Sequence, residues 1–178
     1  AKSLGVACLG EAMELRRAGI AAPILILGFT PAWQAREAVL HDITVALFSL
    51  DVARALSKAA GDLRSRARVH LKVDTGMGRL GLLPDEVVPF VRAIHDLPNL
   101  DVEGIFTHFA TADSADRTHV QAQLEETPAL GDLSVGQQHL AEVAVDGAVA
   151  DVPGEVGGSP QPPLRLVQIP AAVVHPTE

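Results

Sequence analysis

Side chains that could do chemistry gather in the segment His70–Leu82, which reads HLKVDTGMGRLGL. Its first part, Val69–Asp74, is apolar enough to be a strand, and strand alternation puts His70, Lys72 and Asp74 on one face. A lysine inside a central strand is costly to bury unless it is paired or modified. Lys72 is therefore a Schiff-base lysine, a lysine that positions another group, or the partner of a nearby carboxylate.

The second part of the segment, TGMGRLG, surrounds Arg79 with Gly76, Gly78 and Gly81. Glycines allow tight turns and a close approach of the backbone to a ligand. An arginine on such a loop suits a carboxylate or phosphate, because its planar fork can bind two oxygens at once. A turn with a solvated arginine fits the spacing equally well.

His108 ends another apolar run, with Thr107 before it. A histidine in this place is either a hydrogen-bonded structural residue or a catalytic one. The spacing of His108, Asp113 and His119 is not typical of a metal site, so no metal is expected.

Apolar runs and segments of helical periodicity alternate from the N-terminus to about position 109. Strands are predicted at Leu4–Leu9, Pro23–Gly28, Ile43–Ser49, Val69–Asp74 and Asp101–His108. Helices are predicted at Glu11–Ala18, Pro31–Leu40, Asp51–Ala60 and Leu83–Leu97. Repeated strand–helix units indicate a parallel sheet with right-handed crossovers.

Local signals mark where these helices begin and end. Gly19 is placed to end the first helix in a left-handed conformation, whereas Thr30 and Asp51 are placed to cap the second and third. Pro89 should kink the fourth helix or delay its start.

The choice between an open sheet and a barrel follows from what surrounds the strands. No G-x-G-x-x-G or P-loop motif is present, and polar residues gather after strands, where a barrel keeps its site. Five units are too few to close eight strands. The predicted fold is therefore α/β, an incomplete TIM (β/α)8 barrel of about five units with an irregular C-terminal tail.

The composition changes near position 124, which divides the chain into 1–124, the partial barrel, and 125–178, an atypical tail. Seven of the twelve prolines lie at or after Pro128, and the last 69 positions contain no aromatic residue. Within the tail, Val135–Val149 shows some helical spacing and Leu164–Ile169 is a weak strand candidate. The tail is predicted to be disordered or read out of frame.

Net charge and composition limit the possible partners and the compartment. The net charge of −8 argues against a nucleic-acid or membrane-surface partner. The arginines Arg64, Arg66 and Arg68 are interpreted as a solvated loop. A single cysteine, Cys8, and the lack of a membrane-length apolar run predict a cytoplasmic protein. Because the chain opens without Met, we expect its natural start to lie upstream.

Two motifs carry a family resemblance. HLKVDTGMGRLGL resembles the signature of alanine racemases, and GIFTHFATAD at Gly104–Asp113 resembles a second one. LGEAMELRRAGI and PILILG follow the family in the same order, so the resemblance covers about residues 2–124. It implies a cytoplasmic enzyme that uses pyridoxal 5′-phosphate to interconvert L- and D-alanine, supplying D-alanine for peptidoglycan, in a homodimeric parent protein.

The resemblance also implies roles for three residues. Arg79 corresponds to the arginine near the cofactor's phenolic oxygen and the substrate carboxylate. Lys72 corresponds to a lysine that is often carbamylated and that orients this arginine. His108 corresponds to the histidine beside the cofactor ring.

The departures from the family concern proton transfer. The family's Schiff-base lysine lies in a K-A-x-A-Y-G-H-G type motif on a strand that would precede Ala1, and Lys2 lacks that context. Its second base is a tyrosine from the partner subunit's C-terminal domain, and this chain has no tyrosine. The asparagine-serine and R-P-G-I segments are also missing after Leu124. We expect an inactive internal fragment of a racemase. The alternatives are a non-catalytic pyridoxal-phosphate-binding carrier or regulator, and a related serine, broad-specificity or decarboxylating enzyme.

Overall fold

Strands and helices alternate in the computed structural model, which describes residues 3–111, 116, 118–126 and 142–146. The strands are β1 Leu4–Val6, β2 Ile24–Ile26, β3 Thr44–Leu47, β4 Ala67–Val73, β5 Leu100–His108 and β6 Glu142–Asp146. The helices are α1 Leu9–Arg17, α2 Ala35–Leu40, α3 Leu50–Asp62, α4 Val87–His95 and α5 Thr118–Glu126. Short 3-10 turns at Ala32–Gln34 and Pro84–Glu86 precede α2 and α4.

The six strands form one sheet in the order β1-β2-β3-β4-β5-β6, and every neighbouring pair is parallel. An open doubly wound sheet reverses its strand order at a switch point, whereas a barrel adds each strand beside the last. The sequential order therefore confirms the incomplete barrel. β6 adds a strand to the five predicted and corrects the helical interpretation of Val135–Val149 over that stretch. The strand candidate Leu164–Ile169 lies outside the described residues, and the division at 124 stays a prediction.

Alternate residues of the strands serve two different faces of the sheet. The outer face packs against the helices in one large core that includes Ile24, Val45, Leu71 and Ile105. The inner face carries a small separate apolar cluster of buried side chains, formed by Leu25, Ala46 and Phe106. This alternation follows from the two-residue period of a strand and decides which side chains can face the barrel interior.

Two of the predicted helix signals are confirmed. Gly19 has a φ of 78° and follows the end of α1, donating its N–H to the Arg16 carbonyl over 3.0 Å. α4 begins only at Val87, after a 3-10 turn, so Pro89 lies in its first turn, where its missing N–H needs no intrahelical acceptor.

Two other signals are wrong. Thr30 caps no helix, since Pro31 occupies the position before the turn, and its buried hydroxyl has no hydrogen-bond partner within the described part of the chain. The position before α3 belongs to Ser49, and Asp51 lies in the first helical turn, 3.4 Å from the Arg54 guanidinium. An acidic group there still favours the helix through its dipole.

The arginine cluster before and within β4 is divided between solvent and structure. Arg64 is exposed, as a solvated loop predicts, whereas Arg66 is exposed but donates to the Leu100 carbonyl over 2.7 Å. That interpretation is wrong for Arg68, which lies in β4 and is half-buried. Its guanidinium is 2.7 Å from the Asp42 carboxylate and 3.8 Å from that of Glu103. The amino end of the sheet is thus joined by ion pairs.

No helix in the described ranges combines the length and the apolar character that crossing a bilayer would require.

Arg16 joins two loops at the same amino end of the sheet. Its Nε donates to the His41 carbonyl over 3.0 Å, and a terminal nitrogen donates to the carbonyls of Ile20 and Ala22, each over 2.8 Å. Its other terminal nitrogen donates to the Asp42 carbonyl over 2.9 Å. One side chain therefore satisfies four loop carbonyls that would otherwise depend on water.

Replacing this side chain should destabilise the fold. We expect Arg16→Ala to lower the free energy of unfolding by about 2 kcal/mol or more, because each of the four lost hydrogen bonds contributes about 0.5–1.5 kcal/mol. Urea unfolding followed by circular dichroism measures the change. Arg17→Ala, at the exposed next position of the same helix, is the control and should change stability by less than about 0.5 kcal/mol. Equal effects of the two substitutions would contradict the role of Arg16.

Candidate functional site

The carboxyl end of the sheet brings together residues from β4, β5 and the loop after β4. Lys72 is paired in register with Phe106, and His108 lies two residues further along β5. Residues in register in parallel strands share a face, and so do residues two apart. Lys72 and His108 therefore belong to the inner face. Arg79 lies on the loop that leaves β4 at this end.

Lys72 is buried on that face, with 5% of its surface exposed. Its Nζ donates to the Leu27 carbonyl, just after β2, over 2.7 Å. The same nitrogen lies 5.4 Å from the centroid of the Phe106 ring. A carbonyl dipole and an aromatic face both stabilise an ammonium, which offsets part of the desolvation cost.

His70 lies deeper on the inner face. Its ring meets that of Phe106 edge-on, with the two ring centroids 6.5 Å apart. Its Nε2 is 3.9 Å from a Glu103 carboxylate oxygen. Within the described residues, Nδ1 is buried without a hydrogen-bond partner. Burial lowers the pKa of His70 from 6.5 to about 4, so the ring is neutral at neutral pH.

This lowered pKa links stability to pH. A histidine with a lower pKa in the folded state binds its proton more weakly there than in the unfolded state, so its contribution is complete above about pH 6.5 and is lost as the pH falls towards 4. The loss reaches about 3 kcal/mol, at about 1.4 kcal/mol per pKa unit. We expect His70→Gln to unfold with a weaker pH dependence than the wild type between pH 6.5 and 4, measured by urea unfolding. His95→Gln, at an exposed position, is the control. An unchanged pH dependence in His70→Gln would refute the assignment.

The loop after β4 is organised by the carboxylate of Asp74. It accepts the backbone N–H groups of Gly76 at 3.1 Å, Gly78 at 2.9 Å and Arg79 at 2.7 Å. Partial burial raises the pKa of Asp74, but these amides, with that of Met77, lower it more, so the net pKa lies below the ordinary value. Because the chain's own carboxylate occupies these donors, they do not form a phosphate cradle.

Gly81 lets the loop return to the strand it left. The Leu82 N–H donates to the Lys72 carbonyl over 2.9 Å, and the Asp74 N–H donates to the Leu82 carbonyl over 2.8 Å. Gly81 has a φ of 138°, and a Cβ there would lie 2.6 Å from the backbone nitrogen of Asp74. Gly81 thus allows two segments of the backbone to lie close together. The sequence had suggested instead that the glycines of this loop allow a ligand to approach.

A side chain at this position should open the loop. We expect Gly81→Ala to destabilise the protein by about 3 kcal/mol or more, because both the backbone conformation and the contact are forbidden. Gly78→Ala, in the same loop, has a φ of 67° and open space around its Cβ, so it should cost only about 1–2 kcal/mol. Thermal unfolding of both variants measures the difference. A smaller loss for Gly81→Ala than for Gly78→Ala would be inconsistent with the loop geometry.

Arg79 stands at the outer end of this loop with an exposed side chain. Its backbone N–H is held by Asp74, whereas its guanidinium has no hydrogen bond or ion pair among the residues that the structure describes. A cation presented in this way is available to an anionic group of a ligand.

A buried polar network behind the site was missed by the sequence reasoning. Gln123 of α5 accepts the Ala110 N–H over 3.1 Å and donates to the Thr75 hydroxyl over 3.1 Å. The hydroxyls of Thr75 and Thr107 are 2.8 Å apart. Thr107 therefore belongs to the outer face, and its place beside His108 in the sequence does not make it a site residue. The i, i+3 spacing from Val120 was the signal that puts Gln123 on a buried helix face.

The other described lysine lies away from this end of the sheet. Lys58 is exposed on α3, 2.6 Å from Asp62, far in the fold from the carboxyl end of β4. No three His, Cys, Asp or Glu residues within the described ranges are grouped as metal ligands would be. Asp113 and Lys2 lie outside those ranges.

Lys72, Arg79 and His108 thus lie near the carboxyl ends of the strands of an incomplete parallel barrel, which is where barrels of this class keep their ligand sites. The family model described as alanine racemase, N-terminal domain, matches residues 1–141. The chain belongs to the alanine racemase family. This confirms the resemblance carried by the two motifs.

Individual relatives agree with the family match. The chain is 44% identical over 169 residues to an alanine racemase of Desulfosudis oleivorans, covering 86% of this chain and 42% of that protein. It is 51% identical over 114 residues to one of Geobacter sulfurreducens, covering 64% of this chain and 30% of that protein. The chain thus spans well under half the length of these relatives.

Solved structures show the same fold. The alanine racemase of Clostridium difficile 630 superposes with a TM-score of 0.75 at 34% identity, covering 82% of this chain and 41% of that chain. A histidine racemase of Leuconostoc mesenteroides gives a TM-score of 0.72 at 29% identity, covering 83% and 40%.

Proposed function

We propose that this chain is part of a pyridoxal-phosphate-dependent alanine racemase that interconverts L- and D-alanine. The observation that carries the proposal is Arg79: an exposed guanidinium without a described partner, held at the backbone by Asp74 at the carboxyl end of a barrel strand. The family match over residues 1–141 supports the reaction class. As the family resemblance implies, the whole protein would be a cytoplasmic homodimer that supplies D-alanine for peptidoglycan.

The described residues fit one part of the cofactor. Arg79 suits its phenolic oxygen or the substrate carboxylate, because both are anionic oxygens within the reach of a guanidinium fork. His108, on the same face as Lys72, suits the side of the ring. The phosphate finds no cradle in the glycine loop, since Asp74 fills it. When bound, pyridoxal phosphate withdraws electrons from the substrate, which makes its α-hydrogen removable as a proton.

Lys72 is proposed as a positioning residue for Arg79. Its contacts with Leu27 and Phe106 fix its nitrogen inside the barrel, which leaves Arg79 as the ligand-facing cation. A carbamate on Lys72, formed when CO₂ adds to the neutral amine and a proton leaves, would turn a buried cation into an anion able to bind the guanidinium.

Proton transfer on the two faces of the substrate is assigned to groups outside the described residues. Neither described lysine is assigned to bind the cofactor covalently, since Lys58 is exposed beside Asp62 and Lys72 donates to the Leu27 carbonyl, and the chain has no tyrosine. Racemisation needs an acid–base group on each face of the α-carbon. The chain alone should therefore be inactive.

A chimaera tests the proposal. The matched segment of the Geobacter sulfurreducens relative is replaced by the corresponding segment of this chain. We expect the chimaera to racemise alanine, and Arg79→Ala to lower its kcat/KM by about 100-fold or more, since a charged hydrogen bond to substrate is lost. Arg54→Ala, which removes an exposed helix arginine, is the matched control and should leave activity unchanged.

Two results would contradict the proposal: a folded chimaera without activity towards alanine, and equal activity of the Arg79 and Arg54 variants. Clear alanine turnover by the 178-residue chain with added pyridoxal phosphate would contradict the expectation that the chain alone is inactive. A chimaera that prefers histidine would favour a second candidate, an amino-acid racemase of different specificity, which the similarity to the Leuconostoc mesenteroides structure suggests.

A further inference from the structure

The side chain of Gln123 contacts both loops that leave the carboxyl ends of β4 and β5. It is 1% exposed, and its two amide atoms make different bonds. The oxygen accepts the N–H of Ala110, two residues after His108, and the nitrogen donates to Thr75, directly after Asp74. One planar amide of fixed size thus spans the two segments.

The contacts of Gln123 continue to Arg79 on one side. A Cβ built on Gly76 would lie 3.5 Å from the Gln123 amide nitrogen, so the first glycine of the loop packs on this side chain. The next contact is the Asp74 carboxylate, which holds the N–H groups of Gly76 and Arg79.

The contacts continue to His108 on the other side. Thr107 immediately precedes His108, and its hydroxyl is 2.8 Å from that of Thr75. Thr75, Thr107 and Gln123 are each at most 3% exposed, so water cannot replace a lost partner without opening the packing. The loss of a hydrogen bond in this network would therefore affect both loops.

We propose that Gln123 is a positioning residue that sets the placement of Arg79 relative to His108. This inference rests on the proposed function only where it assigns Arg79 and His108 to one site. The alternative is that Gln123 merely stabilises the fold, in which case its loss would affect all elements equally.

Amide hydrogen exchange of the full 178-residue chain separates the two roles. We expect Gln123→Leu to speed exchange at Gly76, Arg79 and Ala110 by about tenfold relative to the amides of β2 and β3, because a buried local network is broken. Ser57→Ala is the matched control. It removes one buried hydrogen bond, to the Pro98 carbonyl, away from both loops, and should leave this ratio unchanged.

A conservative variant provides a second test, because a purely structural role of Gln123 would not restore the exchange rates of the loop amides. Gln123→Glu keeps the acceptor oxygen, and its protonated carboxyl can also donate to Thr75. We expect the loop amides of Gln123→Glu to exchange faster than wild type at pH 7 and to return to the wild-type rate, compared at the same pH, at about pH 5 or below.

Two results would overturn the proposal. One is wild-type exchange at the loop amides in Gln123→Leu, and the other is a uniform acceleration across the sheet with no recovery of Gln123→Glu at low pH. Exchange is read without substrate or cofactor. An inactive chimaera would therefore count against the proposed function and leave the exchange result standing.

Discussion

The site depends first on the carboxylate of Asp74. β4 ends in buried residues, and the carboxylate that directly follows them accepts three backbone N–H groups of the loop. This interaction turns the chain sharply, and Gly81 then lets it return beside β4. The consequence is that Arg79 is presented by a fixed backbone while its side chain stays exposed.

The two faces of the sheet have different roles: the outer face stabilises the fold, and the inner face carries the polar side chains that could contact a ligand. The outer face is apolar apart from Thr107 and packs against the helices, so it provides the rigid support that an active site requires. The inner face holds Lys72 and His70, which are expensive to bury, and it compensates them with the Leu27 carbonyl and the Phe106 ring. A barrel interior that carried only apolar side chains would be more stable but would have nothing to offer a ligand.

The sequence predicts what depends on periodicity. The strand–helix alternation, the face shared by Lys72 and His70 and the turn at Gly19 follow from local spacing, and the two motifs identify the family. Side-chain contacts between distant positions do not follow: Gln123 meets Thr75 across 48 positions, and Arg16 meets His41 across 25. Asp74 is local, but in sequence its carboxylate is indistinguishable from a ligand-facing group.

The central claim is that this carboxylate is held by the loop amides and is not open to a ligand. The most direct test is a ¹³C NMR titration that measures the pKa of the Asp74 side chain in the full chain. The account predicts a pKa below the ordinary aspartate value of about 3.9, because the amides stabilise the charged form more than burial destabilises it. A pKa at or above that value would mean that the amides do not hold the carboxylate, and would contradict the account.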